Sequence, residues 1–171
     1  MKKTYYSWSH IEGACLDIVR QMYINNWKPD YIVGITRGGL IPATLISHYI
    51  KIPMNTLNVS LRDYTSKESN CWMAEDAFGY KQQQKKILLV DDINDTGETI
   101  KWIKDDWKSC CIPNHELWDT VWGDNVRIAT LTSNLSSKET VDYYKWECNK
   151  AEDDVWIVYP WEDFWNEQKI S

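Results

Sequence analysis

The segment Ile87 to Thr99 reads ILLVDDINDTGET. Two adjacent acids, Asp91 and Asp92, follow a wholly apolar run, and a third, Asp95, opens the turn Asp95-Thr96-Gly97-Glu98-Thr99. An apolar run of this length reads as a buried central strand, which would present the acids rigidly at its carboxyl end. Gly97 suits a positive φ or a close backbone approach. Main-chain N–H groups at the start of the next helix, with the Thr96 and Thr99 hydroxyls, make a pocket for a phosphate monoester. Carboxylates beside a phosphate repel it unless something lies between them. A sugar with vicinal hydroxyls fills that place: the acids accept from its hydroxyls while the turn holds the phosphate, and a Mg²⁺ on the same hydroxyls offsets the charge. The plainer alternative is that the three aspartates only cap a helix. A nucleotide-hydrolase P-loop is excluded, because G-x-x-x-x-G-K-[ST] is absent. A receiver domain needs a second acidic strand end, and Val126 to Thr132 ends without one.

The elements that must position these groups alternate between strand and helix. Ile11, Cys15, Ile18, Val19 and Met22 follow a helical period, with Ser9 as the expected N-cap. Tyr31 to Ile35 reads as a buried strand ending at Gly38-Gly39, and Leu40 to Ile50 as an apolar helix with Pro42 in its first turn. Met54 to Ser60 alternates as a strand. Residues 62 to 84 show little periodicity and are expected to form a long mobile loop, in the manner of a lid. A helix is expected from Gly97 to Lys108, buried through Ile100, Ile103 and Trp107; residues 109 to 125 read as an insertion. Val126 to Thr132, Val141 to Trp146 and Val155 to Tyr159 are the remaining strand candidates. This order predicts an α/β fold, a mainly parallel central sheet flanked by helices, with functional loops at the carboxyl ends of its strands.

A chain of 171 residues is expected to form a single domain, needing neither disulfide nor structural metal. The five cysteines (15, 71, 110, 111 and 148) form no C-x-x-C pair and read as reduced thiols of a cytoplasmic protein. Met1 to His10 lacks the apolar core of a secretory signal, and no apolar stretch reaches the ~18 residues of a membrane span. A net charge of −6 argues against a nucleic-acid binder but not against a phosphorylated small substrate, for which local donors and a metal ion suffice. The chain holds 11 Trp and 10 Tyr against 2 Phe, enough to build both core and a stacking platform for a planar ligand.

Ile87 to Thr99 resembles the phosphoribosyl-diphosphate motif of type I phosphoribosyltransferases. Asn94 stands where many members carry an apolar or small residue. Glu98 stands where Lys or Gly is frequent, and its side chain is expected to face solvent. Tyr31 to Ala43, YIVGITRGGLIPA, resembles the diphosphate loop of the bacterial xanthine-guanine members, with Thr36, Arg37 and Gly38 at the binding positions. In the family that loop often carries a non-proline cis peptide. Val155 to Glu162, VWIVYPWE, resembles the segment of 6-oxopurine members in which a ring stacks on the base. Trp156 holds that place and Ile157 the next, which supplies main-chain contacts; simple packing is the other reading of Trp156. One departure stands out. Purine members usually carry a Lys just after the strand matching Val126 to Thr132, and here Asn134 falls at that place, with a neutral amide to meet the base.

The resemblance implies the type I fold with a small hood built from the chain ends. It implies transfer of a phosphoribosyl group from phosphoribosyl diphosphate to a purine-type base, as in purine salvage. Asp95 would take the base's ring proton as the catalytic residue. Asp91 and Asp92 would hold the ribose, with Asp92 nearer Mg²⁺. Thr36, Arg37 and Gly38 would hold diphosphate, and Thr96, Gly97, Glu98 and Thr99 the 5-phosphate. Asn134, Trp156 and Ile157 would meet the base, with weak discrimination between 6-oxo and 6-amino groups as the consequence of the Asn. Arg62 or Lys67 would reach the diphosphate from the 62–84 loop. A homo-oligomer is expected, dimer or tetramer. Two other readings share the donor site: a non-catalytic regulator of the same fold, and a transferase for a different base.

Overall fold

A computed structural model of the chain describes residues 1–60, 66–67 and 71–162. Its centre is a six-stranded sheet in the order β4-β3-β2-β5-β6-β7. These strands are β2 (Tyr31–Thr36), β3 (Met54–Ser60), β4 (Ser66–Lys67), β5 (Ile87–Asn94), β6 (Val126–Asn134) and β7 (Tyr143–Cys148). All pairings are parallel except the short β3–β4 pair. Two further strands, β1 (Lys2–Tyr5) and β8 (Val155–Val158), leave the main sheet and pair with each other in parallel, Lys2 opposite Val155 and Tyr5 opposite Val158. They form the hood.

Strands buried on both faces explain the uninterrupted apolar runs. Along β5, Leu88 and Val90 point into one core, with helices α1 (Trp8–Ile24) and α2 (Leu40–Ile50). Ile87 and Leu89 point into the other, with α3 (Cys71–Phe78), α4 (Glu98–Cys110) and α5 (Trp118–Val121). The first core continues into the hood through Ile157 and Tyr159.

The chain order reverses between β2 and β5: β3 lies to one side of β2, while β5, β6 and β7 follow in turn on the other. Ligand crevices in open α/β sheets form at such a reversal, beyond the carboxyl ends of the strands. Here β2 and β5 stop pairing after Gly34 and Val90. Gly38 and Gly39 fill the wedge where they diverge. A Cβ on Gly39 would lie 2.1 Å from the Val90 carbonyl oxygen, and one on Gly38 would lie 2.3 Å from Asp92 Oδ2. The two glycines are therefore demanded by close packing of the β2–α2 loop on the acidic strand end.

Two expectations are corrected. The N-cap of α1 is Ser7, not Ser9: Ser7 Oγ accepts from the His10 N–H, and His10 Nδ1 accepts from the Ser7 N–H, a reciprocal capping box. Residues 62 to 84 are not one structureless loop. Ser66–Lys67 pairs with β3, and α3 buries Met73, Ala74 and Ala77 in the second core. Arg62 and most of that segment's first part lie outside the described residues, as does the Lys67 side chain. Within the stretch 109 to 125, read as an insertion, Trp118 and Val121 are 3% and 0% exposed and belong to the same core.

Candidate active site

The reversal between β2 and β5 opens a cleft of about 910 Å³. Its floor is the carboxyl end of β5. Asp91, half-buried, sits opposite Thr130 of β6, and both line the cleft. Asp92 Oδ1 accepts from the Ile93 N–H at 2.8 Å, and Asp91 Oδ1 from the Asp92 N–H at 2.9 Å, so the strand's own backbone aims both carboxylates. Thr36, Arg37 and Gly38 form one wall, and the peptide bond between Thr36 and Arg37 is cis. Thr36 Oγ1 donates to Asn58 Oδ1 at 2.9 Å, tying this loop to β3.

The opposite wall is the start of α4. Gly97 has φ +91°, and a Cβ there would lie 2.9 Å from both Glu139 N and Ser137 Oγ. Both its conformation and its packing require glycine. Gly97 offers the helix no side-chain cap. A helix start at the edge of a cleft favours negative charge through its N–H groups and dipole. Thr96 and Glu98 are exposed there and Thr99 half-buried. Below this turn lies a small polar network that includes Asn94, 2% exposed. Its amide nitrogen donates to the Glu139 carbonyl, its oxygen accepts from Ser137 Oγ, and Lys138 N donates to the Thr96 carbonyl at 3.1 Å. Asn94 thus ties the turn to the β6–β7 loop, a job an apolar residue could not do.

The hood closes the third side with Trp156, Ile157, Tyr159 and Trp161. Tyr159 is 2% exposed; its hydroxyl donates to the Asp92 carbonyl at 2.9 Å and shares a second bond with Thr132 Oγ1. Burial, with the Asp92 charge adding to it, pushes this hydroxyl well above the ordinary phenol range, so it stays a neutral donor. Tyr159 stacks on Trp161 (4.9 Å between centroids) and neighbours Tyr6 (6.1 Å), which stacks on Trp146 (3.9 Å). Trp156, 38% exposed, presents its ring to the cleft.

Of the residues singled out from sequence, the structure brings Thr36, Arg37, Gly38, Asp91, Asp92, Asp95 to Thr99, Trp156 and Ile157 onto one cleft. It does not bring Asn134 there. Asn134 is 6% exposed, and its side chain turns inward behind Asp95. Its Nδ2 donates to the Asp95 carbonyl at 2.9 Å, while its Oδ1 accepts from Ser136 N, Ser136 Oγ and Lys150 N. The expected contact of this amide with a ligand therefore gives way to a scaffolding role. Lys150 does line the cleft, with Nζ 3.0 Å from Asp95 Oδ2 and 5.5 Å from the centre of the Trp156 ring. Nothing in the polar run Asn149 to Asp154 marks this lysine in advance; Tyr159 and Trp161 sat within a matched segment but carried no signal of their own.

The cleft thus combines a helix start, a glycine-bearing loop, the carboxylates of Asp91, Asp92 and Asp95 on its floor, the Lys150 ammonium and a group of aromatic rings. Residues 1–164 match the family described as the phosphoribosyl transferase domain. A hypoxanthine-guanine phosphoribosyltransferase of Schizosaccharomyces pombe is 26% identical over 94% of this chain and 89% of its own. A xanthine-guanine phosphoribosyltransferase of Desulfotalea psychrophila is 29% identical over 77% of this chain and 69% of its own. The crystal structure of a purine phosphoribosyltransferase from Pyrococcus horikoshii superimposes with a TM-score of 0.67 at 25% identity, covering 96% of each chain. With the family match running across both walls, the floor and the hood of this cleft, the chain belongs to the phosphoribosyltransferase family.

Proposed function

We propose that this protein transfers the 5-phosphoribosyl group of phosphoribosyl diphosphate to a 6-oxopurine, releasing diphosphate and forming a nucleoside monophosphate. The observation that carries this reading is the gathering of these chemistries on one cleft. The helix start at Thr96 to Thr99 suits the 5-phosphate, Asp91 and Asp92 the ribose hydroxyls, and the loop Thr36 to Gly38 the diphosphate. Trp156 and Ile157 suit a planar base with Asp95 at its edge. The relatives named for hypoxanthine, guanine and xanthine support a 6-oxopurine acceptor.

In the reaction a ring nitrogen of the base attacks ribose C1 as the C1–oxygen bond to diphosphate breaks, and diphosphate leaves with the bonding pair. Positive charge develops at C1 and the ring oxygen, as in glycoside transfer. Little covalent help is needed: the cleft holds the reactants in line and excludes water, which would otherwise hydrolyse the donor. The Asp95 carboxylate takes the ring proton that the base loses.

The donor set fits Mg²⁺ brought in with the substrate. Among the described residues no group of three or more His, Cys, Asp or Glu side chains could hold a metal alone. Mg²⁺ in such sites is commonly bound by one or two carboxylates plus substrate oxygens and water. Asp92, with Asp91 beside it, would supply the protein's share; the ion would screen the diphosphate charge. The free cysteines support a cytoplasmic setting. Among the described residues no helix is long and apolar enough to cross a membrane.

Calorimetry with phosphoribosyl diphosphate tests the donor site. Binding that weakens at least tenfold in excess chelator is the expected result, and equal affinity with and without Mg²⁺ would refute the metal's role. Incubation with donor, Mg²⁺ and hypoxanthine, guanine or xanthine should yield the corresponding monophosphate; no nucleotide from any purine would refute the reaction.

A further inference from the structure

The hood reaches back into the floor of the cleft through one buried side chain. The Tyr159 hydroxyl donates its single proton to the main-chain carbonyl of Asp92 at 2.9 Å, and the Thr132 hydroxyl, also at 2.9 Å, donates to it in turn. The sheet gives least support at this point. β5 stops pairing with β2 after Val90, and its register with β6 runs from Asp91–Thr130 to Ile93–Thr132, stepping over Asp92. The peptide joining Asp92 to Ile93 is held at both ends instead. Its oxygen accepts from Tyr159, and its N–H donates to Asp92 Oδ1 at 2.8 Å. One peptide plane thus carries the tyrosine on one edge and the Asp92 carboxylate on the other. The second carboxylate oxygen, Oδ2, packs under Gly38, where an added Cβ would lie only 2.3 Å away.

We propose that Tyr159 is a positioning residue for the metal-binding side of the cleft: by anchoring the Asp92–Ile93 peptide it sets the direction of the Asp92 carboxylate, so that a hood residue governs how phosphoribosyl diphosphate is held with Mg²⁺. The inference rests on the proposed reading of Asp92 as the protein's share of a Mg²⁺ site. Mg²⁺ demands near-ideal ligand geometry and takes only one or two carboxylates in such sites, so a carboxylate that swings with its peptide binds it less well. Groups that orient a metal ligand from behind are worth about 10–100-fold in metal affinity in other sites. Here the orienting group is itself held fast. The Tyr159 ring stacks on Trp161 at 4.9 Å and neighbours Tyr6 at 6.1 Å, which stacks on Trp146 at 3.9 Å. The bonds from Thr132 to Tyr159 to the Asp92 carbonyl run in one direction, each polarising the next.

Packing alone does not call for the hydroxyl. The residue is 2% exposed, and a phenylalanine ring would complete the aromatic column without burying a polar group that must then find partners. What the hydroxyl adds is its two bonds, one ending on the strand beside the cleft and the other on Asp92 itself.

The experiment measures calorimetric affinity for phosphoribosyl diphosphate over a range of Mg²⁺ concentrations, together with Tm and the KM for hypoxanthine, in wild type, Tyr159→Phe and Thr132→Val. Tyr159→Phe keeps the ring and its stacking. It should raise the Mg²⁺ concentration needed for half-maximal donor affinity by about threefold to tenfold, the scale of one hydrogen bond. The KM for hypoxanthine should change by less than about twofold. Thr132→Val removes the outer bond and leaves Tyr159 on Asp92. It should lower Tm while the Mg²⁺ requirement stays within about twofold of wild type. A wild-type Mg²⁺ requirement in Tyr159→Phe, whatever its Tm, overturns the inference and leaves the transferase reading standing. An equal rise in both variants, or a hypoxanthine KM that rises as much as the Mg²⁺ requirement, marks a general loosening of the hood and overturns it too. Donor affinity that ignores Mg²⁺ in wild type overturns the reading of Asp92 on which the inference rests.

Discussion

Asp95 holds Lys150 at its carboxylate, and in the proposed reaction the same carboxylate would receive the base's proton. Asp95→Asn keeps the side chain's size and its ability to accept a hydrogen bond but removes its basicity. General-base steps are typically worth about 10²–10⁴-fold. The variant should therefore lose turnover on that scale while binding phosphoribosyl diphosphate nearly as well. Lost donor binding with turnover at saturation unchanged would show the role to be misassigned. Asn94 makes a different kind of contribution. Replacing it with Leu would leave the Glu139 carbonyl and Ser137 hydroxyl short of buried partners. An unsatisfied buried group costs about 1–3 kcal/mol. Asn94→Leu should lower Tm and raise the KM for the donor, because the Thr96–Thr99 turn loses its tie to the β6–β7 loop, with kcat at saturation little altered. Thermal melts and steady-state kinetics check both halves.

Among the elements, α1 and α2 meet where Cys15 Sγ approaches the Pro42 carbonyl, and Cys15 is 4% exposed. Burial pushes its thiol from the usual 9.0 up to about 12. Above pH 9 the unfolded chain gives up this proton while the folded chain keeps it, so the unfolded state is favoured as pH rises. The associated stability is whole below pH 9 and is lost toward pH 12. Burial raises the Tyr31 hydroxyl as well, aided by its bond to Asp76, and adds to the loss in the same direction. Tm followed from pH 8 to 12 should fall more steeply in wild type than in Cys15→Ala; parallel curves would remove Cys15 from the account. The elements differed in how plainly the sequence announced them. β5 and α4 were readable because a wholly apolar run and a helical stripe (Ile100, Ile103, Trp107) meet at a turn of strong chemistry. Eight residues of α3, with Met73, Ala74 and Ala77 as its buried stripe, give too short a period to separate from a loop, and its burial comes from α4 and α5, which are distant in sequence. Lys150 was unreadable for a related reason. Its place is fixed by the pairing of β7 beside β6, Asn134 opposite Cys148, and by the Asn134 amide. Asn134 itself was placed at the right strand end. The direction of its side chain was set by partners that local sequence does not name.

At the scale of the whole molecule, an acidic net charge favours small anionic substrates carried with a cation over polyanions. With a net charge of −6, the protein should not shift a DNA or RNA probe at physiological salt. Retarded probe at micromolar protein would revive the reading of a nucleic-acid-bound regulator. The tryptophan excess is largely accounted for by packing. Trp107 and Trp118 are core, and the Trp146, Tyr6, Tyr159 and Trp161 rings form a column joining the sheet's β7 edge to the hood. The pairing of β1 with β8 has a consequence for synthesis. On the ribosome β1 is made early, yet the strand it pairs with emerges some 150 residues later, Lys2 waiting for Val155. The sheet from β2 to β6 can begin to assemble on the nascent chain while Trp156, Ile157 and the strand that orders them are still in the exit tunnel. A truncated product of a stalled ribosome would hold the β5 and α4 side of the cleft without its hood, and would leave Lys2 to Tyr5 as an unmatched strand edge open to pairing with another chain.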